Sequence, residues 1–239
     1  MKRKFWLIGS LSLLLIILLI IFFFIPGAPI SYHRLISGDE AQNLLDLNQD
    51  ALASANSASS LAINPIAKDD KIQGDLSAKI KMVVYENPGD IYSAQLAKNL
   101  KALQGEYSQD LVLAVRYYFP KNDQAAWASA MALECANKSG KFFAAREWLD
   151  EKLIKGEAVI WNEAPKDFSV SEICLGDEGT KKGIEAGLDA LQNTPVYGAP
   201  TTFINGEIIT GARSLDDNTN SAGEKLEGLR TIIKRYLGA

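Results

Sequence analysis

Histidine and cysteine are almost missing from this chain: its 239 residues hold one histidine, His33, and two cysteines, Cys135 and Cys174. A protein zinc site needs several such ligands in one place, so none is expected, and no cofactor is implied. Charge of one sign is scarce too. The net charge is −4 and basic residues alternate with acidic ones throughout, which leaves neither a basic stripe for nucleic acid nor a polybasic patch for lipid headgroups. Gly176, Gly179, Gly183 and Gly187 do not follow a strand and do not spell a phosphate loop, so they are assigned to turns and close helix packing.

Apolar residues, by contrast, are concentrated at the start. Phe5 to Ile25 is a run of 21 residues without a charge, and as a helix it measures roughly 30 Å, the thickness of a bilayer core. Lys2, Arg3 and Lys4 precede it, while Pro26 to Tyr32 carry no charge. The positive-inside bias therefore predicts a single-pass anchor in the cell membrane, with residues 1–4 cytoplasmic and the rest of the chain outside the cytoplasm. The rival is a cleaved signal peptide, whose apolar region is shorter and ends in small residues. Here the exit is Ile25-Pro26-Gly27-Ala28-Pro29, with prolines where a peptidase needs an extended site and no cysteine to take a lipid.

Residues 26–68 read as a juxtamembrane helix and linker. Ser37-Gly38-Asp39-Glu40 fits a capping box ahead of Leu44, Leu45 and Leu47, and Ser54 to Ser60, rich in Ser, Ala and Asn, has no apolar period. A domain is expected from Asp69 to Ala239, with the composition of one ordinary globular unit. Within it, Ile80 to Tyr85 reads as a strand, and Gln95 to Leu103 as a helix ended by Gly105. Leu111 to Phe119 reads as a central strand buried on both faces. Gln124 to Ala136, Lys141 to Leu153 and Thr180 to Leu191 have helical composition. Thr201 to Ile204 and Glu207 to Thr210 flank Asn205-Gly206, the strongest short hairpin signal. Ser221 and Glu224 form a second capping box, predicted to open a last helix carrying Leu226, Leu229, Ile233 and Leu237 on one face.

The order βαβ, helices, hairpin, helix is that of an α/β thioredoxin-like fold with an inserted helical domain at about 121–195. The segment Val196-Tyr197-Gly198-Ala199-Pro200-Thr201-Thr202-Phe203-Ile204-Asn205-Gly206 resembles the cis-proline loop and hairpin of DsbA-like thiol-disulfide oxidoreductases. Cys135-Ala136, Gly140-Lys141-Phe142, and Asp69-Asp70 through Gly74 and Ala78 to Val84-Tyr85 resemble membrane-anchored bacterial members of that family. The resemblance implies Cys-Pro-x-Cys after the first strand. Asp90-Ile91-Tyr92-Ser93 stands there instead, so the resemblance places no catalytic residue, and Asp90 and Ser93 occupy the positions of the lost dithiol. Neither a carboxylate nor a hydroxyl passes electrons through a mixed disulfide. Asp90 reads as a helix N-cap; the sharper alternative has Ser93 or Tyr92 activating a small thiol such as glutathione.

Cys135 and Cys174, 39 positions apart, fall in the insertion. An even pair outside the cytoplasm is expected to be bridged; the alternatives are two buried thiols or a relocated redox pair. Trp127, Phe142, Phe143 and Trp148 sit at helical spacings that suit a core or a groove wall. Three classes of function compete: a redox-inactive peptide-binding or chaperone-like module, a thiol-disulfide oxidoreductase, and an anchored structural domain. The first is expected, with Asp90, Ile91, Tyr92, Ser93, Ala199, Pro200 and Thr201 forming the groove and an extended or unfolded extracytoplasmic polypeptide as partner.

Overall fold

The computed structural model describes residues 65–238. The tail, the anchor over 5–25 and the capping box at Ser37–Glu40 lie outside the described residues, and among those described no helix is long and apolar enough to cross a membrane.

Five strands make the main sheet: β1 Lys71–Gln73, β2 Ile80–Glu86, β3 Leu111–Tyr117, β4 Thr201–Ile204 and β5 Glu207–Thr210, in the spatial order β1-β3-β2-β4-β5. β2 and β3 are parallel, from Ile80 opposite Leu111 to Glu86 opposite Tyr117, and α1, Ile91–Glu106, connects them. The remaining pairs are antiparallel. Residues of β2 alternate between two cores, as a strand's period of two requires. Ile80, Met82 and Val84 face a large one with Leu96, Leu100 and Leu103 of α1, while Val83 and Tyr85 face a smaller one with Ala114, Val196 and Phe203.

The insertion supplies α2 Gln124–Lys138, α3 Phe142–Lys155, the single turn α4 Glu172–Leu175 and α5 Glu178–Asp189. Phe142, Ala145 and Leu149 of α3 join the large core. The aromatic residues pack in pairs: Trp127 meets Phe119 edge-on, Phe142 meets Phe143, and Trp148 lies against Trp161. Cys135 and Cys174 are joined in a disulfide that ties α2 to α4, with Cα atoms 5.9 Å apart.

The hairpin follows the sequence residue for residue. Asn205 takes φ 48° and Gly206 φ 96°, the left-handed geometry of a two-residue turn. The Asn205 amide then reaches β2, its Oδ1 accepting from Lys81 N–H at 2.8 Å and its Nδ2 donating to Lys79 C=O at 3.2 Å.

Three expectations need correction, and one strand was not foreseen. α1 begins at Ile91 and runs through Gly105 to Glu106; one exposed glycine near a helix end costs too little to stop it. β1 gave no sequence signal, because three residues show no period. The last helix, α6, spans Leu229–Leu237 and starts from Gly228, not from Ser221. The Ser221 and Glu224 stretch instead makes the turn between β6, Asn218–Thr219, and β7, Lys225–Leu226. There the Asn220 carboxamide oxygen accepts from Ala222 and Glu224 N–H, and its Nδ2 donates to the Glu224 carboxylate. Gly228 is required where it stands, since a Cβ there would lie 2.3 Å from the carbonyl carbon of Asp216. Finally, Gly183 and Gly187 do not serve close helix packing, for a Cβ on either would meet nothing within 4 Å.

Candidate functional site

β2 ends at Glu86, and the chain turns through Asn87-Pro88-Gly89 into α1. Asp90 caps this helix: its Oδ2 accepts from Ser93 N–H at 2.8 Å and from the Ser93 hydroxyl at 3.1 Å. The Ser93 oxygen accepts in turn from Asn87 N–H at 3.1 Å. Asn87 secures the turn with its side chain, Oδ1 accepting from Gly89 N–H at 2.8 Å and Nδ2 donating to Asp123 at 3.2 Å. Asp123 is itself the N-cap of α2, accepting from Ala126 N–H at 3.0 Å. Two helix starts are thus stitched together through one asparagine.

The last segment arrives beside this turn because β4 pairs with β2, Thr201 standing opposite Tyr85. The Ala199–Pro200 bond, just before β4, is cis. Thr201 Oγ1 donates to Gly198 C=O at 2.7 Å, and Pro200 C=O accepts from Gly211 N–H at 2.8 Å. Among the described residues no hydrogen bond engages the N–H or C=O of half-buried Ala199.

Of the residues expected to form the groove, the fold brings all seven to this end of the sheet but exposes only some. Ser93 is 4% exposed, and Pro200 and Thr201 are buried as well. These three shape the floor and offer no side chain to a partner. The Ser93 hydroxyl is enclosed and holds two hydrogen bonds, so it cannot reach a small thiol. Ile91 at 42% and Tyr92 at 60% stand out from the first turn of α1, and Tyr197 at 86% faces solvent from the loop. Tyr197, Asn87 and Asp123 were missed as site residues. Tyr197 lay within the quoted loop motif, and Asn87 and Asp123 needed the fold to meet.

Beneath the turn lies a buried ion pair. Glu86, 4% exposed, accepts from Arg146 of α3, 6% exposed, through Nε at 2.9 and 3.0 Å and through Nη2 at 2.5 Å. Burial pushes the nearby Tyr117 hydroxyl well above its usual range, with the charges of Glu134 and Glu86 adding to it. Among the described residues no group of acidic, histidine or cysteine side chains could hold a metal ion.

A family model described as thioredoxin matches residues 67–221, well over half of the chain. The chain belongs to the thioredoxin family. Its fold is that of DsbA-like members, as the solved structures it resembles show. ScsC of Proteus mirabilis, in a transitional conformation, is 19% identical, with a TM-score of 0.55 over 84% of this chain and 88% of that one. A variant of Wolbachia pipientis alpha-DsbA1 is 17% identical, with a TM-score of 0.51 over 75% and 94%. A periplasmic thioredoxin-like protein from Salmonella enterica serovar Typhimurium is 18% identical, with a TM-score of 0.50 over 77% and 97%. No curated protein matches this chain.

Proposed function

We propose that this thioredoxin-family domain is held outside the cytoplasm by its N-terminal apolar segment and binds extended polypeptide at the groove between α1 and the Ala199 loop, without thiol chemistry there. The carrying observation is an unengaged Ala199 backbone at the end of the sheet where Ile91, Tyr92 and Tyr197 are exposed. A peptide strand can add to such a backbone through main-chain hydrogen bonds, while flanking apolar groups take its side chains. Selectivity is then weak and the clients are broad.

Redox inactivity at this groove rests on composition. The start of α1 carries Asp90 and Ser93 where the resemblance implies the dithiol of active relatives, and both cysteines of the chain are bonded to each other in the insertion. The anchor reading rests on Phe5 to Ile25 and its flanking charges. A periplasmic relative of the same fold agrees with a domain outside the cytoplasm.

The test is amide NMR shift mapping on the protein with unfolded extracytoplasmic peptides. Saturable shifts should gather at Ile91–Ser93 and Tyr197–Thr201. Shifts elsewhere, or none, would leave an anchored structural domain. An insulin-reduction assay decides the remaining class: turnover that disappears on changing Cys135 or Cys174 would make the protein a thiol-disulfide oxidoreductase working from its insertion.

A further inference from the structure

A second concavity lies away from the groove, between α1 and α3, with a volume of about 610 Å³. Ala97, Leu113, Phe143 and Ile154 give it apolar walls. Most charges at its mouth cancel locally. Lys101 of α1 pairs with Glu147 of α3 across the opening, and Lys155 pairs with Glu151 one turn away at 3.6 Å.

Two charges in the cleft have no such partner. Among the described residues no hydrogen bond or ion pair engages Asp150 of α3 or Lys98 of α1, although both line the cleft. Arg146 lines it as well and sits one helical turn before Asp150, on the same face of α3. Its Nε and Nη2 are committed to Glu86, and no hydrogen bond among the described residues engages Nη1. Burial pushes the Asp150 carboxyl well above the usual carboxylate range, opposed by Arg146 and reinforced by the charges of Glu86 and Glu147.

The geometry points to this cleft as a binding site for a free α-amino acid with an apolar side chain: its ammonium on Asp150, its carboxylate on Lys98 and Arg146 Nη1, its side chain against Ile154, one turn beyond Asp150. Charge complementarity selects a zwitterion. A simple amine would leave Lys98 facing a second cation, and a simple carboxylic acid would leave Asp150 facing a second anion. A cleft with apolar walls and a few convergent polar groups is the usual form of a small-molecule site. This site meets the middle of α1, at Ala97, Lys98 and Lys101, whereas the peptide groove lies at its first turn.

The experiment is titration of the full chain in detergent micelles with L-leucine, N-acetyl-L-leucine and L-leucinamide, read by calorimetry and amide NMR. Leucine should bind saturably, shifting the amides of Ala97, Lys98, Asp150 and Ile154. The two derivatives, each lacking one charge, should bind at least fivefold more weakly. Asp150→Asn should lower leucine affinity at least tenfold and leave N-acetyl-L-leucine unchanged, and Lys98→Met should do the converse with leucinamide. The groups facing Asp150 are Arg146, Glu147, Glu151 and Lys155 on α3, Lys98 and Lys101 on α1, and Glu86 at the end of β2. Because ammonium binding needs the Asp150 carboxylate, leucine affinity should fall as pH drops through its raised pKa, and Asp150→Asn should abolish that dependence. No saturable binding of leucine, equal binding of the N-acetyl derivative, or an Asp150→Asn variant that binds leucine like the parent would overturn the assignment. The ligand comparison uses the unaltered chain, so a misfolded variant does not spoil it.

Discussion

Glu86 and Ala199 lie at the same end of the sheet, yet their polar groups are treated in opposite ways. The Glu86 carboxylate, sealed under the turn, receives three contacts from one guanidinium. Ala199, a few residues from it in space through the pairing of Tyr85 with Thr201, receives none from the described residues. Burying a charge is tolerable only with full pairing, whereas an unengaged peptide group at a half-buried surface costs little because water can serve it. The interior here is closed by pairing, and the surface above it leaves a peptide group open.

That contrast can be broken from the interior outward. Arg146→Met leaves Glu86 buried without its cation and should cost about 3–5 kcal/mol in chemical denaturation. Changing both to Met should recover most of the loss, and failure to recover would mean that the pair also fixes the docking of α3. Cys135→Ala with Cys174→Ala opens a loop of 39 residues and should lower stability by up to about 4 kcal/mol in the chain-entropy model. Peptide affinity should be untouched, and a lost peptide signal would show that the insertion shapes the groove.

Asp90→Ala removes the cap of α1 and should cost about 1 kcal/mol. Ser93 then loses the acceptor of its hydroxyl, so amide shifts at Asn87 should accompany the change. Tyr92→Ser and Tyr197→Ser sharpen the other side of the comparison. Both side chains are exposed, so thermal unfolding should barely move while peptide binding falls at least tenfold. Equal binding by the double variant would remove the apolar flanks from the proposal.

The smallest effect concerns acid. Burial raises the Asp70 carboxyl, but hydrogen bonds from Arg116 and from Ala67 N–H outweigh it and hold the group below its usual value. Its contribution is therefore present above the unfolded pKa, about 4, and is lost as pH falls through the lower folded value. Asp70→Asn should flatten the acid limb of stability against pH and leave the neutral region nearly parallel; an unchanged acid limb would assign that limb to other carboxylates.

Elements with a local cause were legible in the sequence. The Asn205-Gly206 hairpin was readable because the turn itself demands left-handed residues, and β2 and β3 because burial on both faces leaves nearly continuous apolar runs. The start of α1 was readable from the Asp90 cap, whereas the apolar spacing of Leu96, Leu100 and Leu103 marked only the middle of the helix. Ser221 and Glu224 carry a genuine capping spacing, but Asn220 uses the same stretch for a hairpin turn, and a pattern of residue types does not reveal which claim wins. At the candidate site, the helix start and the proline loop could be named from the chain. The Glu86–Arg146 pair could not, because it joins positions 60 residues apart that no local rule connects.

Asn205 closes the sheet in time as well as in space. The start of β2 is held by a side chain 124 positions later, and the neighbour of β2 on that side, β4, arrives only after the whole insertion. Contacts of such separation form late and slowly, since the intervening chain must be ordered before they repay it. A chain emerging from its N-terminus can make the βαβ unit and the insertion helices, but β2 keeps an open, strongly apolar edge until the hairpin appears. For most of its synthesis this domain therefore displays the kind of strand edge that its finished groove is proposed to recognise in others.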